Sequence, residues 1–585
     1  MKKIYIIMLS LALGACSNDF MNLEPTTEFA ESDAYFDTRE GLEAYVNSFY
    51  AYIDYDKILE DFQSDNCEHK SIPPTIRSAY YTVPTALGSG GWNWTNLRNI
   101  NYFIEKCEDS KNEQSVKHEY LAVARFFRAM FYFEKVKAFG DVPWYSTVLE
   151  TNDNEELYKA RDSRTLVMDS VVNDLNYAIK YLPREKYRNK ASKWTALALK
   201  SRVCLYEGTW RKYHTEANVP NANGFLQQAA NASRELIDAS IYSLYTTGNK
   251  SKDYYELFMP YEAFTEEVIM ARSFADGVKF RYTPQYTAIA YGNYGASRSL
   301  ISSYAMTDGE SFQDRYPDQE QRDTMSYYNE FQGRDPRLKN SVIYPGYIRI
   351  GANKVTVNHF QQNLTGYQII KGVGPDSEDQ DGSSRDIIVF RYAEVLLNYA
   401  EAKAELGSLT QADIDLTLNK IRSRVGIPAL KLPIVSNDVL AGKYHGTKDP
   451  SILEVRRERR VELAFEGFRK DDLIRWAEGH LFRNAYEGIY ITALHTYIDL
   501  DNNGTDDIYV VAANQPFPGN TISTVQYLKL DGNKSLTNST NGRIVPHSSF
   551  SFKTFENWEY LQPIPLEELT LNPNLVQNKG WEEYY

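Results

Sequence analysis

The run Glu119 to Val136, EYLAVARFFRAMFYFEKV, constrains the fold more than any other stretch. Tyr120, Val123, Phe127 and Met130 recur at three- and four-residue steps, the period that places side chains on one helix face. Arg125 and Arg128 fall off that stripe, and Phe139-Gly140-Asp141-Val142-Pro143 ends the helix with glycine and proline. The same periodicity predicts helices over Arg164 to Leu182, Ser192 to Tyr206, Phe225 to Ala239 and Val389 to Leu406, with Gly407 capping the last. A further helix spans Ile452 to Trp476 and breaks at Gly467. Several stripes carry Ala or Ser where a globular helix would carry Leu: Ala196, Ala198 and Ser201, then Ala393, Ala400 and Ala402. Small residues let helix axes approach closely, so the pattern predicts stacked helix pairs.

Between the helical blocks lie long non-helical stretches. Asp276 to Gln332 is rich in Tyr, Gly and Ser, Pro345 to Asp386 turns acidic and Gly-rich from Gly372, and Ile489 to Phe555 is rich in Asn, Gly and Thr. Loops this long inside a compact protein usually carry function. The architecture expected is an all-α core decorated by long loops and small β-hairpins.

The N-terminus reads as a processing signal. Lys2 and Lys3 precede an apolar run, Ile4 to Ala12, and Leu13-Gly14-Ala15-Cys16 follows. That run is shorter than the about 20 residues a membrane-spanning helix needs. Leu13 to Cys16 resembles the lipobox of bacterial lipoproteins, in which the cysteine is acylated and becomes the mature N-terminus. The expected organisation is a signal peptide over 1–15, a lipidated tether over 16–30 and a single domain over 31–585. Acyl chains contribute about 0.8 kcal/mol per buried methylene, so Cys16 would anchor the chain to a membrane. Cys67, Cys107 and Cys204 have no zinc-ligand spacing and read as buried small hydrophobes.

A net charge of −14 argues against nucleic acid, whose recognition depends on cationic contacts to phosphate. The chain holds 45 Tyr, 27 Phe and 8 Trp, and tyrosine and tryptophan join a flat apolar face to a polar edge. Most of these aromatics are expected to fill helix–helix contacts.

Six segments, in order along the chain, carry a family resemblance after the lipobox itself. They are Ala124 to Trp144, Ala191 to Gly208, the turn Arg334-Asp335-Pro336-Arg337-Leu338, Phe390 to Gly407, Glu458 to Trp476 and Leu561 to Trp581. Together they resemble the SusD/RagB nutrient-binding lipoproteins of Bacteroidetes. The resemblance implies a helical core like tetratricopeptide repeats and a ligand site built on loops. It also implies a non-catalytic role: capture of a glycan at the cell exterior for a SusC-like TonB-dependent outer-membrane transporter. Capture of peptides for a peptide-importing barrel is the alternative.

Nothing in the residues requires catalysis. No H-E-x-x-H, G-x-S-x-G, P-loop or G-x-G-x-x-G occurs, and the eight histidines are scattered. Glu458, Glu462, Glu466, Asp471 and Asp472 are interleaved with Arg456, Arg459 and Arg460, so they read as ion pairs along a helix surface that fix its packing. Asp499 to Asp507 has oxygen ligands at calcium-loop positions 1, 3, 5 and 9 and glycine at 6, but Val510 stands at position 12. It reads as a polar hairpin tip between strands, and no metal or cofactor is expected.

Aromatic platforms with polar partners suit sugars. Trp92 and Trp94 follow the Gly-rich loop Gly88 to Gly91 ahead of Asn101, and Tyr291 and Tyr294 flank Gly292 and Asn293. Trp92, Trp94, Tyr291 and Tyr294 are therefore the expected stacking surfaces, with Asn101 as a polar partner. The Ile489 to Phe555 loops are the next place to look.

Overall fold

The computed structural model describes residues 33–53, 58–70, 76, 79, 81–274, 294–379, 382–435, 438–532 and 534–584. The signal peptide, Cys16 and Tyr291 lie outside the described residues.

The scaffold is helical. α1 (Thr95–Asp109), α2 (Gln114–Phe139), α3 (Arg164–Tyr181), α4 (Lys193–Tyr213) and α5 (Ala222–Asp238) follow one another, and each packs on the next. α6 (Tyr392–Glu405) closes on α4 and α5, and α7 (Pro450–Glu462) closes on α6. Side-chain chemistry sets the ends of these helices. Ser163 accepts from Leu166 N ahead of α3, and Ser192 forms a reciprocal capping box with Thr195 ahead of α4. Gly140 (φ 74°) ends α2, and Gly407 (φ 65°) follows α6 as the sequence predicts.

The small-residue stripes do what their size allows. Ala196, Ala198 and Ser201 of α4 are buried, and Ser201 Oγ accepts from Asn398 Nδ2 of α6 at 2.9 Å. A Cβ added at Gly208 would stand 2.9 Å from the Leu226 backbone nitrogen, so α4 and α5 approach at a spacing only glycine permits. Cys67, Cys107 and Cys204 are free and buried.

Several boundaries differ from expectation: α2 begins at Gln114, α4 runs on to Tyr213 and α5 begins at Ala222. Ile387–Arg391 is a strand, β4, because its β-branched run pairs antiparallel with β2 (Val268–Arg272), and α6 begins only at Tyr392. The break after α7 starts at Leu463, ahead of Gly467, and Phe465 takes a left-handed φ of 64° within it. α8 (Arg469–Arg475) then resumes.

A second apolar core gathers the loop-derived elements. β1 (Cys67–His69) pairs with β3 (Tyr294–Ala296). β10 (Gly542–Pro546) lies between β5 (Tyr490–Ile491) and β9 (Lys534–Leu536). β6 (Tyr497–Ile498) pairs antiparallel with β7 (Ile508–Val511), and β7 pairs parallel with β8 (Gln526–Lys529). The decoration is thus more than hairpins, since the β7–β8 pair needs a crossover. Among the described residues no helix is long and apolar enough to cross a membrane.

The charges of α7 and α8 pair in the interior, some along the helix as expected, as in Arg457–Glu454 and Arg475–Asp472, and most between elements. Arg337 meets Asp335 at 2.7 Å, Glu458 at 2.6 Å and Glu462 at 3.0 Å, all with no exposure. Arg424 reaches Glu462 at 2.6 Å, and Arg475 bridges Glu401 and Asp472. The arginines hold Glu458 down to about 2 against the upward push of its burial, and Glu462 lower still. Asp335 also caps the helix Pro336–Ser341, accepting from Arg337 N.

Candidate functional site

The expected stacking residues divide. Trp92 is 2% exposed and sits in the helical core, edge-on to Phe139 at 4.8 Å and Trp94 at 5.4 Å. The cause is Lys135 of α2, whose ammonium donates to the carbonyls of Gly91 and Asn93 and draws the Gly-rich loop down. Burial without a carboxylate partner pushes that lysine to about 8. Asn101 is 1% exposed. Its Nδ2 donates to the carbonyls of Tyr145 (3.0 Å) and Thr147 (3.1 Å), and its Oδ1 accepts from Arg128. Every polar atom of that side chain is committed inward, and Arg128 is itself locked to Asp174 at 2.7 and 2.9 Å. Trp92 and Asn101 are therefore scaffold residues and not ligand contacts.

Trp94 is half-buried, with Phe131, Tyr132 and Tyr145 around its ring. Tyr294 is also half-buried, on β3. It stacks on Phe62 at 3.7 Å and leans on His69 at 4.4 Å, and burial pushes its hydroxyl up to about 12.

A further aromatic surface lies within the Ile489 to Phe555 loops, the second place the sequence indicated, on tyrosines it did not single out. Tyr497, Tyr509 and Tyr527 stand directly opposite one another on β6, β7 and β8. Their ring centroids are 4.7 and 5.9 Å apart, and Phe517 extends the row 5.5 Å from Tyr527. All four are half-buried, while Ile498, Ile508, Val510 and Leu528 on the alternate positions are buried in the second core. The two-residue period of a strand thus sorts aliphatics inward and tyrosines outward. Strands lie about 4.7–4.9 Å apart, so three strands set three rings in a row at a pyranose-like step. The polar edges are present: Tyr527 Oη accepts from Ile522 N at 2.7 Å, Tyr497 and Tyr527 hydroxyls meet at 3.4 Å, and Lys529 stands over Phe517. The signal for it in the sequence is Tyr alternating with aliphatics in YID, DIYVV and VQYLK.

One three-residue segment joins this row to Tyr294. Gln361 donates to the Tyr527 carbonyl at 3.4 Å, Gln362 accepts from Lys70, and Asn363 donates to the Tyr294 carbonyl at 3.0 Å. The tyrosine row, Lys70 and Tyr294 are thereby tied to one segment, Gln361 to Asn363.

At the β6–β7 tip, Asp499, Asp501 and Asp507 converge, with carboxylate oxygens within 4.8 Å of one another. Asp499 accepts from the backbone of Asn502, Asn503 and Gly504, which closes the polar hairpin tip expected from the sequence. Burial, reinforced by its two neighbours, pushes Asp507 to about 6. A separate cleft of about 520 Å³ opens beside α2, where Tyr81, Tyr560 and Trp581 line the wall. Its charged lining is largely self-paired, through Lys137 with Asp471 and Lys470 with Glu60.

Family models bear on this architecture directly. The model described as the SusD family matches residues 247–581, more than half the chain. The chain belongs to the SusD family. A second model, described as starch-binding associating with outer membrane, matches residues 19–205 of this SusD protein. SusD-like protein P38 of Formosa agariphila is 25% identical over 80% of this chain and 90% of its own length. SusD-like protein P25 of the same organism is 24% identical over 72% and 76%. A solved SusD-like protein from Bacteroides fragilis superposes with a TM-score of 0.70 at 22% identity, over 94% of this chain and 98% of that one. A SusD-like carbohydrate binding protein from the same species gives 0.69 at 23% identity, over 93% and 100%. At these identities the likeness speaks to fold alone.

Proposed function

We propose that this SusD protein is a non-catalytic, lipid-anchored outer-membrane lipoprotein that captures glycan chains. The Tyr497–Tyr509–Tyr527 row carries the reading. Pyranose rings present flat C–H faces with hydroxyls at their rims, and a row of half-exposed tyrosines offers the complementary apolar faces and polar edges. A solved relative described as carbohydrate binding and a family model described as starch-binding support the same ligand class. Tyr294 joins as a flanking contact through the Gln361–Asn363 segment, and Trp94 forms a separate half-exposed aromatic. Tyr291, outside the described residues, stays a flanking candidate by its sequence position.

Glu458 and Glu462 have no exposure and are held ionised by arginines, so neither is a proton donor facing a cleft. Anchoring through Cys16 and hand-over to a SusC-like TonB-dependent barrel complete the proposal. The family description of outer-membrane association supports that placement. Two or three stacking contacts at roughly 1.5–3 kcal/mol each, less the cost of ordering a flexible chain, give an affinity on the order of micromolar to millimolar. The deciding experiment screens the purified protein against immobilised polysaccharides and peptides. Retention of polysaccharide that Tyr509→Ala abolishes supports the proposal, and retention of peptides alone would replace glycan with the peptide alternative.

A further inference from the structure

Away from the tyrosine row, two histidines and a glutamate meet at the junction of two segments. His445 follows the helix Asp438–Lys443, Glu478 follows α8, and His480 lies in the 3-10 turn Gly479–Arg483. A ligand atom from each falls within 4.8 Å of the others. The imidazoles of His445 and His480 lie parallel, 3.7 Å apart at 5°.

The hydrogen bonding around this trio leaves a gap of a definite kind. His480 Nε2 stands 3.2 Å from the Lys443 carbonyl oxygen, which only accepts, so Nε2 bears the hydrogen. In the neutral ring Nδ1 is then a bare lone pair, and it points at Glu478 Oε2 from 3.6 Å. Two electron-rich atoms then face each other, and the carboxylate oxygen also accepts from His445 N. A proton on Nδ1 would make an ion pair with Glu478 at 3.6 Å but would leave His445 outside it. A metal ion would engage all three groups once the His445 ring tilts out of the stack.

Glu478 is prepared for such a role. It is fully buried, and its oxygens accept from His445 N at 2.9 Å and Gly446 N at 2.8 Å. The backbone carrying His445 is thereby fixed to the carboxylate. A histidine that ligates through one nitrogen while the other donates to a carbonyl is the usual arrangement around bound metal. Two cations oppose binding without blocking it. Arg456 sits 3.7 Å from the other oxygen of Glu478, and the Lys443 ammonium turns away to Asp65 and Ser299.

We propose that His445, His480 and Glu478 form a binding site for a zinc-class transition-metal cation, with water in the fourth position. Two imidazoles and one carboxylate suit Zn²⁺ rather than Ca²⁺ or Mg²⁺, which take oxygen ligands. His445 is exposed, so its ring is free to tilt out of the stack and point its nitrogen at the ion. The bound ion would staple the segment after residue 443 to the turn after α8.

The test is calorimetric titration of zinc chloride into the chelator-stripped full-length protein, with excess calcium present to occupy oxygen-only clusters. The expected result is one zinc per chain and a raised melting temperature. His445→Ala and His480→Ala should each weaken binding by about tenfold or more. Because His445 is exposed, His445→Ala should keep the metal-free melting temperature, which separates loss of a ligand from loss of fold. No zinc uptake by the wild type, or equal uptake by the wild type and both variants, would overturn the proposal.

Discussion

Glu462 and Arg391 meet at 2.7 Å in the interior, and neither side chain is more than 2% exposed. Glu462 also accepts from Arg337 and Arg424, so one carboxylate binds three guanidiniums from three separate segments. Removing it takes one counter-charge from all three buried cations, which keep only Asp335, Glu458, Glu267 and Glu466 as partners. Glu462→Gln should lower stability by about 3–5 kcal/mol, the usual result of breaking a buried pair. Denaturant melts of the two proteins check it, and a change under 1 kcal/mol would mean the arginines find other partners.

The same network sets an acid limit. Glu401 and Glu458 are drawn from 4.5 to about 2 in the fold by the arginines around them. A depressed carboxylate contributes stability above its unfolded pKa and loses it as pH falls through the folded one. The melting temperature should hold near pH 5 and fall progressively towards pH 2. Melts across that range test this, and a flat profile would contradict the role given to these pairs.

Asp507 should act in the opposite direction. Its folded pKa rises from 3.8 to about 6, so the contribution is present at low pH and lost as pH climbs through 6. Asp507→Asn keeps an oxygen that accepts from Leu500 N, yet removes the charge. The variant should be more stable than the parent at pH 7 and match it near pH 4. Equal stability at both values would contradict the penalty that burial, reinforced by Asp501 and Asp499, places on ionised Asp507.

For ligand binding, Tyr509 is the informative position because it has a tyrosine on each side. Tyr509→Ala should cost roughly 1.5–3 kcal/mol of glycan affinity, more than tenfold. Tyr497→Ala and Tyr527→Ala remove outer contacts and should cost less. Trp92→Ala should instead destabilise the fold. Fluorescence titrations against the retained polysaccharide, paired with thermal melts, separate the two classes.

Cys16→Ser tests the anchor. The variant should appear in the soluble fraction or remain unprocessed, whereas the parent should fractionate with the outer membrane. A lipid-labelled Cys16→Ser protein in the outer membrane would refute the lipobox reading.

The helices were legible because their signal is local: Tyr120, Val123 and Phe127 announce a face within two turns. The Trp92 and Asn101 expectations failed for a non-local reason. Glycines beside a tryptophan look exposed until Lys135, forty residues on, draws the loop carbonyls inward, and Arg128 claims Asn101 from the next helix. The charges of α7 were readable as ion pairs, but spacing alone could not show that Arg337 and Arg391 would supply the partners. The tyrosine row was hidden for the same cause. Each strand contributes one tyrosine, and the alignment of Tyr509 with Tyr527 depends on a parallel pairing that no short window contains.

The inward and outward halves of the β6–β8 sheet answer to different demands. Ile498, Ile508, Val510 and Leu528 hold the sheet to its core, while the half-buried tyrosines between them are not among that core's buried residues. Exchanging Tyr for Trp, His or Gln at the outward positions changes what the surface attracts and leaves the inward anchors in place. Evolution could therefore retarget this protein to a new polymer one residue at a time, without passing through an unfolded intermediate.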